Sequence, residues 1–144
     1  MGICLGMQLL MTQSEEFGIH EGLDIIKGSV IKFPINSKDK TIKVPQVGWN
    51  NIIKPSFARE NYWDSSPLKD IDSGEFMYFV HSYYVIPANK ETILSITNYE
   101  NTEYCSSILY KNIFACQFHP EKSGEKGIEI YRKFKIFMKN GGVI

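Results

Sequence analysis

The chain has 144 residues and a balanced charge, with 16 lysines and arginines against 16 aspartates and glutamates. That balance excludes the basic surface typical of proteins that bind nucleic acid or anionic membranes, and no apolar stretch is long enough to span a bilayer. With 43% apolar residues, the length suits one domain with a hydrophobic core. The three cysteines cannot all pair and form no CxxC motif, so we expect reduced thiols, no metal site and a cytoplasmic protein.

The first half of the chain predicts one helix and several short strands. Residues 5–12 (LGMQLLMT) are good helix formers and predict a helix. Short β-branched runs predict modest strands at 29–33, 43–44 and 51–53. The polar residues 36–40 predict a loop.

The second half predicts a group of strands followed by a long helix. Residues 76–81 (FMYFVH) form a nearly continuous apolar run, which predicts a strand buried on both faces. Three more strands are predicted at 93–99, 104–110 and 112–119, with polar turns between them that indicate two hairpins. Apolar residues recur at helical spacing over 125–139, and the pattern stops at two glycines. Helices that bracket strands predict an α/β domain.

The segment Gly2-Ile3-Cys4-Leu5-Gly6 has the spacing of a nucleophile elbow, with cysteine in the place of serine. An elbow holds its nucleophile on a strained turn between small neighbours, and the helix that follows favours the thiolate. We therefore expect Cys4 to be the reactive thiol, and Cys105 and Cys116, which lie within apolar strands, to be inert. A glycine-flanked core cysteine that opens a helix has the same pattern, so this motif alone leaves both interpretations open.

The segment Gln117-Phe118-His119-Pro120-Glu121 offers a base and a carboxylate. A cysteine nucleophile needs a base, usually histidine, and the base needs a third group that fixes its tautomer. His119 ends an apolar run, and the proline after it forces an extended path from which Glu121 can turn back. A solvated strand-end histidine is the competing interpretation of this motif alone. His20 and His81 have no carboxylate at such a spacing, and we expect them to be structural.

Together and in this order, G-x-C-x-G-x-Q and H-P-E resemble the class I glutamine amidotransferases. Three further segments, 44–50 (VPQVGWN), 78–85 (YFVHSYYV) and 117–124 (QFHPEKSG), resemble the glutaminase subunit of imidazole glycerol phosphate synthase. The resemblance implies a flavodoxin-like three-layer α/β sandwich over residues 1–144. It implies an enzyme that hydrolyses glutamine to glutamate and ammonia without a cofactor. It further implies a heterodimer with a cyclase subunit that uses this ammonia to make imidazole glycerol phosphate and AICAR in histidine biosynthesis.

The same resemblance implies roles for individual residues. Cys4 matches the nucleophile, His119 the general base and acid, and Glu121 the residue that orients His119. The positions that match substrate contacts are the side chains of Gln8 and Glu16, the backbone of Ser82 and Tyr83, and the N–H of Leu5 as an oxyanion donor. The positions that match the partner interface are Pro45, Val47, Gly48 and Trp49. An ordinary core aromatic is the alternative for Trp49.

Two features depart from the family pattern. The family usually has His-Met where this chain has Gln46-Val47, which predicts an altered partner surface. The family domain also begins well before its nucleophile, so the strand that feeds the elbow, earlier sheet strands and a glycine-rich loop with a second oxyanion donor are expected upstream of Met1. We therefore expect this chain to be the C-terminal portion of a longer domain, or a late-start version of one, and a poor glutaminase alone.

Three alternatives compete with this assignment. An amidotransferase that uses an N-terminal cysteine needs it at position one, and Cys4 lies too deep. A paralogue that supplies ammonia for amino or amidino sugars of surface polysaccharides would use the same chemistry, and it stays open. The third alternative, a non-catalytic interaction subunit, stays open too, although the retention of the catalytic and substrate-matching side chains argues against it.

Overall fold

The computed structural model describes residues 1–34 and 43–142. Within them, the α-helices are α1 (Leu5–Gln8) and α2 (Gly124–Lys139). The strands are β1 (Gly2–Ile3), β2 (Gln13–Ser14), β3 (His20–Glu21), β4 (Gly28–Lys32), β5 (Gln46–Ile52), β6 (Glu75–His81), β7 (Tyr83–Pro87), β8 (Ile93–Tyr99), β9 (Thr102–Tyr110) and β10 (Ile113–Cys116). Short 3₁₀ turns occupy Lys90–Thr92 and Pro120–Lys122. No described helix is both long and apolar enough to cross a membrane.

Eight of the described strands form one mixed sheet, called here the large sheet. Its order is β1-β10-β9-β7-β4-β2-β3, and β8 pairs with β9 beside this path. The strands β5 and β6 form a separate antiparallel pair, called here the ribbon. The ribbon is joined to the large sheet by a bridge between Ile53 and Ile96 and by Thr97, whose hydroxyl donates to the Asn51 carbonyl at 2.9 Å.

Strand β10 separates two hydrophobic clusters. Phe114 and Cys116 pack with Ile130 of α2, whereas Ala115 between them packs with Met7 of α1. Successive side chains of a strand point to opposite faces of the sheet, so α1 and α2 cover opposite faces of β10. This layering of helix, sheet and helix agrees with the predicted α/β class, which is confirmed.

Most of the predicted elements of the second half are confirmed. The helix at 125–139, the strands at 93–99 and 104–110, and both hairpins are present. The strand predicted at 112–119 ends earlier, at Cys116. The strand at 29–33 corresponds to β4, residues 43–44 are not in a strand, and β5 is longer than the 51–53 segment predicted. The predicted loop at 36–40 lies outside the described residues.

The helix predicted at 5–12 is wrong beyond its first turn. The carbonyls of residues 9–11 accept hydrogen bonds from the N–H groups of Leu23, Asp24 and Ile25, at 2.8–3.1 Å, instead of continuing a helix. Gly22 permits this close approach, since a Cβ there would lie 2.1 Å from the Met11 carbonyl oxygen. A tertiary contact therefore overrides the helical propensity of the segment.

The prediction that residues 76–81 are buried on both faces is also wrong. Met77, Phe79 and His81 are buried, but Phe76 is 53% exposed, and Tyr78 and Val80 are half-buried. The apolar run therefore supplies two apolar faces, and only one of them lies in the core. The other is open on the outer side of the ribbon.

Candidate active site

Cys4 lies on a sharp turn between β1 and α1. Its φ of 49° and ψ of −105° are unusual for a residue with a side chain, and such conformations cost about 1–3 kcal/mol. The Cys4 N–H donates to the Cys116 carbonyl at 2.8 Å, which ties the turn to β10. The expectation that the strand before the elbow is missing is wrong for its last two residues, because Gly2–Ile3 form β1 parallel to β10.

The two glycines of the elbow differ in what they allow. A Cβ on Gly2 would lie 2.8 Å from the Gly6 carbonyl oxygen, so only glycine fits there. A Cβ on Gly6 would meet no described atom within 4 Å. The prediction that the turn needs both small neighbours therefore holds for Gly2 alone.

The Cys4 sulfur lies in a partly buried polar setting. Its clearest partner is the side-chain amide of Gln117, whose Nε2 donates to Sγ at 3.4 Å. The thiol also faces the Val80 carbonyl of β6, with Sγ and the oxygen 3.9 Å apart. The sulfur is thus held between the end of β10 and the ribbon.

Burial raises the pKa of the Cys4 thiol above its ordinary value. The Leu5 N–H and the Gln117 amide lower this pKa, while the charges of Glu121 and Glu16 add to the increase. The net direction is upward, so the resting thiol is protonated at neutral pH. The Leu5 N–H favours the thiolate, as expected of the elbow, but burial outweighs it, so a nucleophilic Cys4 needs a base.

The other two cysteines are fully enclosed. Cys105 and Cys116 are 4% and 0% exposed, and burial raises the pKa of both thiols well above the ordinary value. All three cysteines are free. Inaccessible, protonated thiols are poor nucleophiles, so Cys4 is the thiol best placed to react.

His119 and Glu121 form a hydrogen-bonded pair directly after β10. The imidazole Nδ1 lies 2.6 Å from Glu121 Oε1. Partial burial raises the pKa of Glu121, but the hydrogen bond from His119 and nearby positive charge hold it below its ordinary value. Since an ionised carboxylate can only accept, Nδ1 carries the proton and the lone pair of a neutral ring lies on Nε2. That tautomer is the one a general base requires.

The backbone of His119 is fixed to the ribbon. Its N–H donates to the Tyr78 carbonyl at 2.8 Å, and Ser123 Oγ donates to its carbonyl at 2.6 Å. The same Ser123 oxygen accepts from the Tyr78 N–H at 3.0 Å. The 3₁₀ turn that begins at Pro120 then brings the Glu121 carboxylate within hydrogen-bond distance of the His119 ring.

The structure brings Cys4 and His119 to one corner of the large sheet without joining them. In residues 1–34 and 43–142, the buried Nε2 of His119 has no hydrogen-bond partner, and the sulfur of Cys4 is not bonded to it. An unpartnered buried nitrogen is uncommon and marks a place where a proton or a ligand atom fits. The same described residues contain no cluster of three acidic, His or Cys side chains able to hold a metal.

Gln8, predicted to hold substrate, is 8% exposed and engaged within the protein. Its Nε2 donates to the Tyr83 carbonyl at 3.0 Å and to Gln117 Oε1 at 3.1 Å. Both amide hydrogens are thus used internally, and the Gln8 side-chain oxygen is the atom left for another partner. The chain of bonds leads from Tyr83 through two glutamines to the Cys4 sulfur.

Glu16, also predicted to bind substrate, is half-buried at the side of an open cleft. The residues that line this cleft are Leu5, Gln8, Leu9, Ser14, Glu16, Phe17, His20, Glu21 and Gly22. Leu5, which directly follows Cys4 in the chain, also lines this cleft. The cleft therefore offers a carboxylate close to the candidate nucleophile.

Ser82 and Tyr83 lie at the junction of β6 and β7. The Ser82 carbonyl accepts from the Phe33 N–H at 3.1 Å. The Tyr83 carbonyl accepts from Gln8 and from His81 Nδ1, the latter at 2.8 Å. These two carbonyls therefore serve the fold, and their predicted substrate contacts stay a prediction.

His81 is a structural histidine by its surroundings, in agreement with the expectation from its spacing. It is 6% exposed, with Nδ1 on the Tyr83 carbonyl and Nε2 at 3.2 Å from the Tyr104 hydroxyl. Burial lowers its pKa to about 4, helped by the charge of His119. His81 is therefore neutral at physiological pH.

The outer face of the ribbon is apolar and open. It comprises Val47, Trp49, Phe76, Tyr78 and Val80, and we call these five residues the docking face. Cross-strand pairs Val47–Val80 and Trp49–Tyr78 place them on one side. Val47, Trp49 and Phe76 are 59%, 56% and 53% exposed.

The ribbon excludes the alternative interpretation of Trp49 and corrects one expectation about Gln46. Trp49 is not a core aromatic, since its exposed ring packs edge-on to Tyr78 with centroids 6.1 Å apart. Gln46, expected to alter the partner surface, is 2% exposed and bonded to the Tyr104 hydroxyl at 2.9 Å. Only Val47 of the Gln46-Val47 pair reaches the surface. Pro45 is exposed, and Gly48 has a φ of 134°, which favours glycine.

Comparison with known proteins identifies a family and several similar proteins. A family model described as glutamine amidotransferase class-I matches residues 1–137. The chain is similar to imidazole glycerol phosphate synthase subunit HisH of Syntrophotalea carbinolica, at 43% identity over 93% of this chain and 62% of that protein. It is similar to HisH proteins of Chlorobaculum tepidum, at 40% identity over 95% and 63%, and of Pyrococcus furiosus, at 41% over 94% and 63%. The chain thus spans just over three-fifths of the length of these relatives.

One solved structure shows the fold. A Thermoplasma acidophilum protein described as part of a GMP synthase matches with a TM-score of 0.61, covering 96% of this chain and 56% of that one. At 20% sequence identity, this likeness concerns the architecture alone.

Proposed function

The chain belongs to the class-I glutamine amidotransferase family, and on that premise we propose that it hydrolyses glutamine and passes the ammonia to a synthase subunit. The observation that carries the proposal is His119, whose Nδ1 is held by Glu121 while its buried Nε2 has no partner among the described residues. The relatives described as HisH subunits of imidazole glycerol phosphate synthase support that synthase as the partner. They also support a role in histidine biosynthesis. As part of the same proposal, the complex makes imidazole glycerol phosphate and AICAR.

The first half of the proposed reaction forms a thioester. His119 Nε2 takes the proton from Cys4 Sγ, and the sulfur attacks the side-chain amide carbon of glutamine. The carbonyl oxygen becomes an oxyanion, to which the Leu5 N–H donates. His119 then gives its proton to the amide nitrogen, the carbon–nitrogen bond breaks, and ammonia leaves.

The second half consumes one water molecule. His119 takes a proton from water as the water oxygen attacks the thioester carbon, and the carbon–sulfur bond breaks. The sulfur regains the proton and glutamate leaves. Glu121 holds the Nδ1 proton throughout and stabilises the positive charge that the ring carries between the steps.

Substrate glutamine is proposed to lie in the cleft beside Cys4. The carboxylate of Glu16 suits the α-ammonium group of glutamine. The Gln8 side-chain oxygen and the backbone of Ser82 and Tyr83 are the other proposed contacts. Because the amide hydrogens of Gln8 are already engaged, its contribution to the substrate is that of an acceptor.

The synthase subunit is proposed to bind at the docking face, forming a heterodimer. Exposed apolar and aromatic residues of this kind are enriched at protein interfaces, and Pro45 and Gly48 border the same surface. Lys122 lies at its edge, with its ammonium 5.8 Å from the Tyr78 ring centroid. The partners would work in the cytoplasm, where the three free thiols stay reduced.

A direct test compares two sources of ammonia for the complex of this chain with its synthase subunit. We expect Cys4→Ala to abolish product formation from glutamine and to leave product formation from added ammonium salt unchanged. Cys105→Ala serves as the matched control and should keep both activities. If the unaltered complex used ammonium but never glutamine, the chain would be a non-catalytic interaction subunit. If it turned over glutamine without making imidazole glycerol phosphate, the sugar-forming paralogue would replace the histidine assignment.

A further inference from the structure

Three side-chain hydrogen bonds connect the backbone of β7 to the candidate nucleophile. Gln8 Nε2 donates to the Tyr83 carbonyl at 3.0 Å and to Gln117 Oε1 at 3.1 Å, and Gln117 Nε2 donates to Cys4 Sγ at 3.4 Å. Gln117 is completely buried. Its backbone N–H donates to the Ser106 carbonyl at 2.9 Å, which anchors it at the end of β10.

The direction of this chain of bonds follows from its first acceptor. A backbone carbonyl can only accept, so Gln8 must turn its NH₂ group towards Tyr83. The second hydrogen of that group then requires an acceptor, which fixes the oxygen of Gln117 on the Gln8 side. The NH₂ group of Gln117 is left facing the Cys4 sulfur. The orientation of both amides is therefore determined by their partners rather than free to invert.

We infer that Gln117 is a catalytic residue that donates a hydrogen bond to the Cys4 sulfur and stabilises its thiolate, and that Gln8 is a positioning residue that orients the Gln117 amide. The inference deepens the proposed function and rests on it for its meaning, since the thiolate is the proposed attacking species. A donor aimed at the sulfur stabilises an anion more than a neutral thiol.

The groups around the Cys4 sulfur act on its pKa in opposite directions, and the Gln117 amide is one of those that lower it. The charged groups that act on the Cys4 thiol are Glu16 and Glu121. The titratable side chains on the nearby elements are Cys116 of β10, His119 directly after it, and Glu75, Tyr78 and His81 of β6. Burial and the charges of both glutamates raise the pKa of Cys4, and the Gln117 amide and the Leu5 N–H lower it. Without the amide, the Leu5 N–H would be the remaining donor identified at the sulfur in the described residues.

The test measures the thiol without using glutamine. Alkylation of Cys4 by iodoacetamide is followed from pH 7 to above pH 11 by peptide mass spectrometry, and the midpoint gives its apparent pKa. Gln117→Met keeps the length and shape of the side chain but removes the donor. We expect the midpoint to move to higher pH and alkylation at pH 7.5 to fall about 10-fold, the usual scale for a hydrogen bond to a charged group.

Two further variants separate this role from a structural one. Gln46→Met removes another buried glutamine amide, which is bonded to Tyr104 instead of the sulfur, and should leave the alkylation midpoint unchanged. Gln8→Met should move the midpoint in the same direction as Gln117→Met but by less, and it provides the result if Gln117→Met fails to fold. Unchanged midpoints in both Gln117→Met and Gln8→Met, or an equal shift in Gln46→Met, would overturn the inference. A shift in a chain that never hydrolyses glutamine would support the inference about the sulfur while refuting the proposed function.

Discussion

The large sheet and the ribbon differ in which side chains they bury and which they expose. At one corner of the large sheet, polar side chains are buried: Gln117 is fully enclosed and donates to Cys4. On the ribbon, apolar side chains are exposed, with Trp49 more than half open to solvent. Buried polar groups stay only where they have partners, and exposed apolar groups commonly mark a surface for association. The proposed chemistry and the proposed docking therefore involve different side chains of one small domain.

One joint between the two regions lies at His119. The His119 N–H binds the Tyr78 carbonyl of the ribbon, and Ser123 bonds to both residues. The side chain of Tyr78 belongs to the docking face, while the ring of His119 belongs to the candidate active site. Contact with a partner would therefore act on the strand that fixes the backbone of the proposed base.

The largest effect in this comparison of the two regions is expected when the proposed base, His119, is removed. His119→Ala should reduce the glutamine-dependent rate of the complex by about 10⁴-fold, the upper range for a general acid–base group. The ammonium-dependent rate should stay unchanged, because the site only produces ammonia. Both rates are measured on the same preparation. Loss of both would mean that His119 serves the joint with the ribbon and not the chemistry.

A smaller loss is expected when the partner of the base is altered. Glu121→Gln can turn an amide hydrogen towards Nδ1, which moves the ring proton to Nε2 and blocks it as a base. We expect kcat for glutamine to fall about 1,000-fold while KM changes little. Steady-state kinetics of the complex provide both values. A raised KM with kcat intact would instead assign Glu121 to substrate binding.

The contact between ribbon and large sheet makes folding sensitive to acid. His81 of β6 faces Tyr104 of β9, and its pKa is about 4 in the folded chain, against about 6.5 in the unfolded chain. Between these values the unfolded chain binds more protons, so stability is lost as pH falls from 6.5 to 4, by up to about 3 kcal/mol. Urea unfolding at several pH values measures this loss. The matched variant His81→Gln should show a shallower pH dependence, and parallel curves for the two chains would contradict the assignment.

The smallest effect is expected on the docking face. Trp49→Ala should weaken the affinity for the synthase subunit by about 30-fold, as for an aromatic residue at the centre of an interface. Alkylation of Cys4 in the separate chain should be unchanged. Phe57 is similarly exposed, at 52%, but lies outside the docking face, and Phe57→Ala is the control that should keep full affinity. A slowed thiol reaction in Trp49→Ala would show that the two regions are not separate.

The sequence predicts the structure best where the signal is local. The helix at 125–139 repeats its apolar residues at helical spacing, and a polar turn separates the apolar runs of β8 and β9, so these elements follow from near neighbours in the sequence. Helix α1 is shorter than predicted because the carbonyls of residues 9–11 accept hydrogen bonds from a loop that lies thirteen to sixteen residues further along the chain. The prediction that β6 is buried on both faces is wrong, because an apolar run in the sequence does not reveal whether the second face packs in the core or is exposed.

The sequence predicts which residues form the candidate site better than it predicts the hydrogen bonds between them. Motifs identify Cys4, His119 and Glu121, and the close bond between the last two follows from a spacing of two residues. Gln117 stands in the same motif as His119 without a predicted role, because its contact with Cys4 joins residues 113 positions apart. The one sequence feature that points to Gln117 is its position two residues before the proposed base. The direction of its amide follows only from the bonds of Gln8.

The measurement that tests the central claim most directly is covalent labelling with a glutamine analogue that alkylates an active-site thiol. Intact-mass and peptide mass spectrometry would locate and count the label. The predicted result is one label per chain, on Cys4, that forms more slowly when glutamine is present and is nearly lost in His119→Ala. Labelling of Cys105 or Cys116 to the same extent, or labelling of Cys4 that neither glutamine nor His119 affects, would contradict Cys4 as the nucleophile of a glutaminase.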